Sequence, residues 1–197
     1  MKRKPIVMSL LLTVMVALLF VGFAGRAVCQ ESKWTGNVNL LIGAKALDED
    51  DWEPAHEHAE FAIGIDFGKT NWPIAVAIDL IGSAGEGTLG SFDVEASTSE
   101  FDLGVRKIWK PAQKVRPFLG GGIAFITGTM EVKNSFASVK DDDTGTGFWI
   151  NGGIYMTLNE LINLGIEARV SSAEIELNGV EGNAGGGHFC FFVGFHM

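Results

Sequence analysis

Histidines and acidic residues near position 50 are of the types that metal ions prefer. His56-Glu57-His58 follows the acidic stretch 48–51, and imidazole nitrogen and carboxylate oxygen both bind zinc. Histidines two residues apart lie on the same side of a strand, but the spacing fixes no third ligand. We therefore predict solvated loop residues at 56–58.

A second acidic stretch, Asp141-Asp142-Asp143-Thr144-Gly145, has a superficial likeness to a calcium-binding loop. An EF-hand loop needs ligands at its first, third and fifth positions and glycine at its sixth. Gly145 stands at the fifth position here, so the match fails. We predict no metal site and no cofactor, and leave open only weak divalent-ion bridging by these acids.

Cys190 and His188 together have the composition of an activated cysteine nucleophile. Both lie on one face of a single predicted strand, and no group that would orient the imidazole can be identified from the sequence. We therefore predict that Cys190 is a small buried apolar side chain. The glycine runs 120–122 and 185–187 are not phosphate loops, because neither opens a helix or carries a Lys-Ser/Thr pair.

The composition narrows the class of protein. The chain has 197 residues, 26 glycines and a formal net charge of −9. An acidic chain offers no basic face to nucleic acid, and two cysteines are too few to argue a disulfide framework. The length suits one domain after a targeting segment.

Residues 1–29 have the organisation of a secretory signal peptide. Lys2, Arg3 and Lys4 precede an uncharged stretch over 6–24, and small side chains lead to Cys29. We predict cleavage after Cys29; an uncleaved membrane anchor and a lipid-modified Cys29 are the alternatives. Cleavage leaves 11 basic and 24 acidic residues, a net charge of −13.

The rest of the chain alternates apolar with polar or small residues at a period of two, which is typical of β-strands. Seven segments are regular, and they begin near Trp34, Ala59, Ile74, Phe101, Phe148, Ile162 and Phe189. An eighth, 115–132, changes parity at Phe125-Ile126, and we predict a bulge there.

Short and long connections alternate between these segments. Tight turns occupy 68–71, 110–114 and 159–161, whereas 48–57, 82–97, 133–146 and 172–187 are long and polar. The long connections therefore emerge together at one end of the sheet. Trp34, Trp72 and Trp109 all fall at the short-turn end, which predicts half of an aromatic girdle at a membrane surface.

Alternation alone also fits a soluble β-sandwich. The apolar faces here are continuous from strand to strand, and segments of about 9 to 11 residues can cross a bilayer when tilted. We predict an all-β fold, an eight-stranded antiparallel up-and-down transmembrane β-barrel over 30–197 that follows a cleaved signal peptide. A periplasmic ligand-binding β-sandwich is the alternative.

Residues 30–197 resemble the small eight-stranded outer-membrane barrels of Gram-negative bacteria, the family that includes OmpX, OmpW and the barrel of OmpA. The likeness rests on the signal, the strands and loops, the segment 116–122 (Arg-Pro-Phe-Leu-Gly-Gly-Gly) and the aromatic last strand. Such barrels usually end in Phe or Trp, which the barrel-insertion machinery reads. Here the sequence runs Phe195-His196-Met197, so the resemblance implies an insertion signal displaced by two residues.

The resemblance implies an outer-membrane location and contact with lipid and lipopolysaccharide. It also implies insertion by the barrel-insertion machinery, a monomeric state and no nucleic-acid partner. The implied role is structural, surface-interacting or minor small-solute transport. Some barrels of this class modify lipids, and the deacylase type carries a His-x-Ser motif. No histidine of this chain has a serine two residues later, so we predict that the protein is not an enzyme. A lipid-modifying enzyme is the third hypothesis, after the non-enzymatic barrel and the periplasmic β-sandwich.

Nine ionisable residues face the interior if the apolar faces meet lipid. An eight-stranded barrel has room only for side chains, so we predict an ion network that plugs the lumen, and a conducting pore is the alternative. Counting from the strand ends places Asp79 toward the long loops and Asp66 toward the short turns. The nine residues are Lys45, Glu60, Asp66, Asp79, Glu100, Asp102, Arg106, Glu167 and Arg169.

Overall fold

The computed structural model describes residues 34–109, 114–134, 138–159 and 161–197. The predicted signal peptide, 1–29, lies outside these residues. Within them, no helix has the length and apolar character needed to cross a bilayer.

The described residues form ten strands and one short helix. In chain order the elements are β1 (Trp34–Ala46), α1 (Glu49–Trp52), β2 (Glu57–Lys69), β3 (Ala75–Leu89), β4 (Phe92–Ile108), β5 (Val115–Lys133), β6 (Ser138–Thr157), β7 (Ile162–Ser172), β8 (Glu174–Leu177), β9 (Val180–Asn183) and β10 (Gly186–His196).

Eight of the strands close into one antiparallel barrel in the order β1-β10-β7-β6-β5-β4-β3-β2. The first and last strands close it, because β1 pairs with β10 from Asn37↔His196 to Ala46↔Gly187. Closure pairs the backbone groups between strands, which the bilayer core demands. The predicted barrel is therefore confirmed, and the β-sandwich alternative is wrong.

The outer face of the barrel is apolar along every strand. Ile42, Ile123 and Phe191 are 68%, 52% and 60% exposed, as lipid-facing side chains must be. Phenylalanines contribute to this surface, and the ring centroids of Phe101 and Phe125 lie 6.1 Å apart.

Strand β5 contains no bulge, so that prediction is wrong. Its pairing with β4 runs without interruption from Asp93↔Lys133 to Ile108↔Phe118. Phe125 therefore points outward and Ile126, which is fully buried, points inward. The parity changes because the inward positions become apolar beyond Ala124, where β5 leaves the polar lumen.

The long connections are more ordered than the sequence predicts. β3 and β4 continue to a turn at Gly90, whose φ is +65°, so most of 82–97 is strand. β5 and β6 likewise extend over most of 126–146. The connection 172–187 contains the β8–β9 hairpin, which turns at Asn178-Gly179 with φ of 52° and 81°. Such an Asn-Gly pair suits a two-residue turn.

These connections meet in a small core at the long-loop end, which we call the apolar cap. Its buried members come from the segment after β1, from α1, from the parts of β4 and β5 nearest the long connections, and from the β8–β9 hairpin. They include Leu47, Trp52, Val94, Ile126 and Ile175. The Trp52 indole donates to the Asn183 carbonyl at 2.8 Å. The cap therefore covers one end of the barrel with apolar side chains.

Candidate functional site

The nine ionisable residues predicted for the lumen all lie inside the barrel and all are buried. They occupy the inward positions of five strands, β1, β2, β3, β4 and β7, because successive side chains of a strand alternate between its faces. Their hydrogen bonds divide them into two groups, which we call the arginine network and the lysine network.

The arginine network is centred on Arg169 of β7. Its guanidinium contacts Asp102, lies 2.5 Å from Asp79 Oδ2 and 3.0 Å from Glu167 Oε1, and stacks 4.9 Å from the Trp149 ring centroid. One planar cation thus holds carboxylates from three strands, which is the geometry for which arginine is suited.

Arg106 of β4 extends this network toward the short-turn end. Its Nη2 donates to Asp79 Oδ2 at 2.9 Å, and Nη1 lies 3.5 Å from Asp66 Oδ2. Asp79 therefore bridges the two arginines and does not belong with the group nearest the long loops. Counting from strand ends misplaced it, because barrel strands tilt and are staggered relative to one another.

The lysine network lies nearer the apolar cap. Lys45 Nζ contacts Glu100 and donates to Thr98 Oγ1 at 2.9 Å and to the Ala184 carbonyl at 3.0 Å. Ser171 Oγ donates to Glu100 Oε1 at 3.3 Å. The ammonium therefore has a carboxylate, a hydroxyl and a carbonyl for its three donors.

A serine, a histidine and a glutamate stand in line beside this lysine. Ser171 Oγ is 3.0 Å from His188 Nε2, and His188 Nδ1 donates to Glu60 Oε2 at 2.5 Å. This order of groups is that of an acyl-transfer triad. Ser171 is only 2% exposed and His188 5%, so no substrate reaches the hydroxyl in this conformation.

Cys190 belongs to the same cluster. Its thiol donates to Glu60 Oε1 at 3.1 Å, so Glu60 orients both the thiol and the imidazole of His188. The prediction that no orienting group lies near Cys190 and His188 is therefore wrong. The burial that was predicted for Cys190 is observed.

His58 is not a solvated loop residue. It is buried, its Nε2 donates to the Ala55 carbonyl at 3.0 Å, and its Nδ1 is 2.8 Å from Ser83 Oγ. Ser83 Oγ is 2.8 Å from Thr98 Oγ1, which connects His58 to Lys45. His56 remains at the surface side of the segment, and the described residues contain no cluster of His, Cys, Asp or Glu arranged to hold a metal ion.

The charges of the lumen do not balance. Six carboxylates and three cationic side chains are buried there. Some carboxylate oxygens have no hydrogen-bond partner among the described residues, namely Asp79 Oδ1, Glu100 Oε2 and Asp102 Oδ1. Arg169 contacts three carboxylates and Arg106 contacts two, so the loss of one guanidinium leaves buried carboxylates without a cationic partner.

The three girdle tryptophans lie at the short-turn end, about half-exposed. Trp34 begins β1, Trp72 lies in the turn before β3, and Trp109 follows β4. Trp34 and Trp72 contact each other with centroids 5.6 Å apart. Their role as a membrane girdle stays a prediction.

Several polar members of the lumen were missed by reasoning from charge alone. Ser83, Thr98 and Ser171 connect the lysine network, while Asn37 and Asn163 extend the arginine network. Asn37 Nδ2 donates to Asp66 Oδ1 at 2.7 Å and its Oδ1 accepts from Asn163 Nδ2 at 3.1 Å. The strand parity that identified the charged residues identifies these as well, because they stand at inward positions.

A closed eight-stranded barrel with an apolar outer face and a polar interior defines a transmembrane β-barrel protein. The sequence model of the outer membrane protein beta-barrel domain matches residues 15–190, and the chain belongs to this family. No curated protein sequence gives a significant match.

Solved barrels share this fold at low sequence identity. Ail of Yersinia pestis, crystallised with the heparin analogue sucrose octasulfate, is 11% identical with a TM-score of 0.60, and the match covers 84% of this chain and 100% of Ail. Neisserial surface protein A is 13% identical with a TM-score of 0.54, covering 83% and 97% of the two chains. OprG of Pseudomonas aeruginosa is 9% identical with a TM-score of 0.55, covering 85% and 97%.

Proposed function

We propose that this chain is a non-conducting outer-membrane barrel whose interactions with other molecules occur at its long-loop surface. The observation that carries the proposal is the lumen, where two arginines and a lysine hold carboxylates from several strands beneath the apolar cap. Ions cannot pass side chains that fill the cross-section of the barrel. Minor transport of small solutes is the second role, and it requires that this network open.

Planar-bilayer recording tests the closed lumen. The refolded full chain is added to the bilayer after a gel with and without boiling has shown the mobility shift of a folded barrel. We expect no single-channel steps above those of detergent alone. Uniform steps from the wild-type chain that disappear with a heat-denatured sample would contradict the proposal and favour transport.

We propose a structural role, and not an enzymatic one, for Ser171, His188 and Glu60. Acyl transfer needs an exposed nucleophile and space for an acyl group, and all three side chains are buried. A fluorophosphonate probe, which labels activated serines, should therefore leave the folded chain unlabelled. Labelling that Ser171→Ala abolishes and Ser172→Ala preserves would favour the lipid-modifying enzyme.

The tips of the long-loop hairpins are the surface that we propose for interaction. Leu89, Phe92 and Val180 are exposed by 65%, 41% and 69%, and Leu89 pairs with Phe92 at the β3–β4 turn. Exposed apolar side chains above a membrane are candidate contacts. Leu89→Ser with Phe92→Ser should reduce adhesion of cells that display the protein, whereas Asp93→Asn on the same hairpin should not. Equal adhesion of cells that display the wild type, the double variant and Asp93→Asn would exclude this surface as the site of interaction.

The partner of this surface is not expected to be a polyanion of the kind crystallised with Ail. The long-loop end of this chain is acidic, with Asp48, Glu49, Asp50, Asp51, Asp141, Asp142, Asp143, Glu174, Glu176 and Glu181. Like charges repel, so an anionic surface such as lipopolysaccharide would need divalent cations between it and these acids. Binding of lipopolysaccharide vesicles that EDTA does not reduce would contradict this arrangement.

We further propose an outer-membrane location after export by the signal peptide, with lipid and lipopolysaccharide around a monomeric barrel. The family match and the apolar outer face support this location. Fractionation should place the chain in the outer membrane in a form that depends on the barrel-insertion machinery. Recovery in the soluble periplasmic extract would overturn it.

A further inference from the structure

The short-turn end of the barrel opens into a cavity of about 90 Å³, which we call the vestibule. It is lined by the short-turn ends of β1 to β6 and of β10. Its lining includes Thr35, Lys69, Arg106, Arg116, Tyr155 and His196. A volume of this size holds several water molecules or one small polyatomic ion.

The vestibule carries excess positive charge. Arg106, Arg116 and Lys69 line it together with one carboxylate, that of Asp66. Asp66 is already engaged by Asn37 at 2.7 Å and by Arg106 at 3.5 Å. Neither Arg116 nor Lys69 has an ion pair with a carboxylate among the described residues; Arg116 lies over the Tyr155 ring and Lys69 over the Trp34 ring.

Two of the donors that line the vestibule are buried without a partner. The Nε atoms of Arg106 and Arg116 are shielded from solvent and form no hydrogen bond with the described residues. Arg106 as a whole is only 3% exposed. A buried N–H without an acceptor costs free energy comparable to a lost hydrogen bond, so an acceptor with several oxygens would satisfy groups that the fold leaves unsatisfied.

We propose that the vestibule binds a small oxyanion, a phosphate or a carboxylate, with Arg116 as its principal ligand. The planar guanidinium matches the paired oxygens of such anions, and Lys69 adds positive charge at the rim. This site is independent of the role of the long-loop surface, which lies at the opposite end of the barrel.

The interior of the barrel stops the anion at this level. Beyond Arg106 the free space narrows to about 10 Å³, and Asp79 and Glu167 line it. Room for about one water molecule remains there, and the carboxylates repel an anion. The vestibule is therefore a blind site that is open only to the short-turn side.

Side-chain NMR of the refolded full chain with inorganic phosphate tests the site, because the Nε–H resonance of Arg116 reports directly on the bound oxygen. Phosphate is titrated against sodium chloride at equal ionic strength. We expect a saturable shift of this resonance and matching broadening of the 31P signal. Shifts that grow linearly without saturation, or that chloride reproduces, would overturn the proposal.

Substitutions at the same end of the barrel localise the binding. Arg116→Gln should weaken phosphate binding about tenfold, as expected for loss of a charge-assisted hydrogen bond, and Arg116→Lys should weaken it less. Lys107→Gln is the matched control, since Lys107 lies at this end outside the vestibule lining and donates to the Pro73 carbonyl. Equal affinities of Arg116→Gln and the wild type would overturn the assignment, and Lys69→Gln provides a second variant if Arg116→Gln shows no folded band.

Competition distinguishes a free ion from a larger ligand that ends in the same group. Acetate and glycerol phosphate are titrated beside inorganic phosphate. Displacement of phosphate by glycerol phosphate at equal concentration supports a headgroup-like ligand, whereas displacement by acetate supports a carboxylate. Failure of both, with saturable phosphate binding retained, supports the free ion.

Discussion

The lumen and the apolar cap fill space at two levels of the same barrel by opposite means. In the lumen, Arg169 and Arg106 hold carboxylates from other strands, and each contact depends on charge and geometry. In the cap, Trp52, Ile126 and Ile175 are buried apolar side chains that are held by packing. The ionic part is built on long paired strands, and the apolar part is built largely on connections.

The difference between these regions has an energetic consequence. A buried charge without its partner is expensive because water no longer solvates it, so the lumen should respond sharply to the loss of one residue. An apolar core loses stability in proportion to the atoms removed, so the cap should respond gradually and locally. A gradual, local response to substitution in the lumen, or a sharp, global response in the cap, would contradict the comparison.

The largest effect is expected at Arg169. Arg169→Met leaves Asp79, Asp102 and Glu167 with Arg106 as the remaining guanidinium, and should lower the free energy of unfolding by about 4 kcal/mol. Urea unfolding, followed by the mobility shift on unheated gels, measures this. Lys107→Met, a partly exposed control, should change it by less than about 0.5 kcal/mol. Similar values for both variants would mean that Arg169 is hydrated.

Trp52→Ala should cost the cap about 3 kcal/mol of local stability, because a large buried side chain and its bond to Asn183 are lost. We expect faster amide exchange in α1 and the β8–β9 hairpin, with unchanged protection in the paired parts of β1, β2 and β7. Val180→Ala, at the exposed tip of the same hairpin, serves as control. Loss of protection throughout the barrel would show that the two regions unfold together.

Gly128→Val should destabilise the cap by about 2 kcal/mol through overcrowding. A Cβ at Gly128 would lie 2.4 Å from Ile175 Cδ1 and 3.0 Å from Trp52 Cη2. Gly82→Val is the matched control, because a Cβ there meets no described atom within 4 Å. Amide exchange of Ile175 compares the two variants, and equal exchange would contradict the packing described for the cap.

The smallest effect concerns the attachment of the β8–β9 hairpin at the surface. Asp143 accepts the Glu176 backbone N–H at 2.8 Å, which lowers the pKa of the Asp143 carboxyl. The contribution of this contact is therefore present above the ordinary Asp pKa and is lost as the pH falls through the lowered value. The Glu176 amide shift should report this transition in wild type and Asp142→Asn but not in Asp143→Asn. A transition that persists in Asp143→Asn would show that another group titrates.

Strand periodicity, together with the alternating loop lengths and the continuous apolar faces, predicted the barrel. The same periodicity assigned the nine ionisable residues to inward positions, because inward and outward positions alternate whatever the pairing. Periodicity could not predict which of these charged side chains form ion pairs with each other. Asp79 joins Arg169 across the barrel through the stagger of the strands, which is a property of the closed sheet. The cap was missed for a similar reason, since Trp52 lies in an acidic stretch and Ile175 in a polar one, and only the fold brings them together.

The contacts of the polar cluster around Glu60 could likewise not be predicted from the residue pattern within one strand. His188 and Cys190 lie on β10 and Glu60 lies on β2, the two strands that flank β1, so their contact depends on closure of β1 with β10. The bulge expected at Phe125-Ile126 shows the reverse error. A change of hydrophobic parity was attributed to the backbone, although it marks the height at which the interior changes from polar to apolar.

A double-mutant cycle between Arg169 and Asp102 tests most directly whether the charged side chains of the lumen form ion pairs that exclude water. Asp102→Asn should be nearly neutral in the wild type, where carboxylates already outnumber cations, but should restore about 1 to 3 kcal/mol in the Arg169→Met background by removing an uncompensated charge. Urea unfolding of the four proteins gives the coupling energy. A restoring effect confined to the Arg169→Met background is the predicted result, and an equal effect of Asp102→Asn in both backgrounds would contradict it.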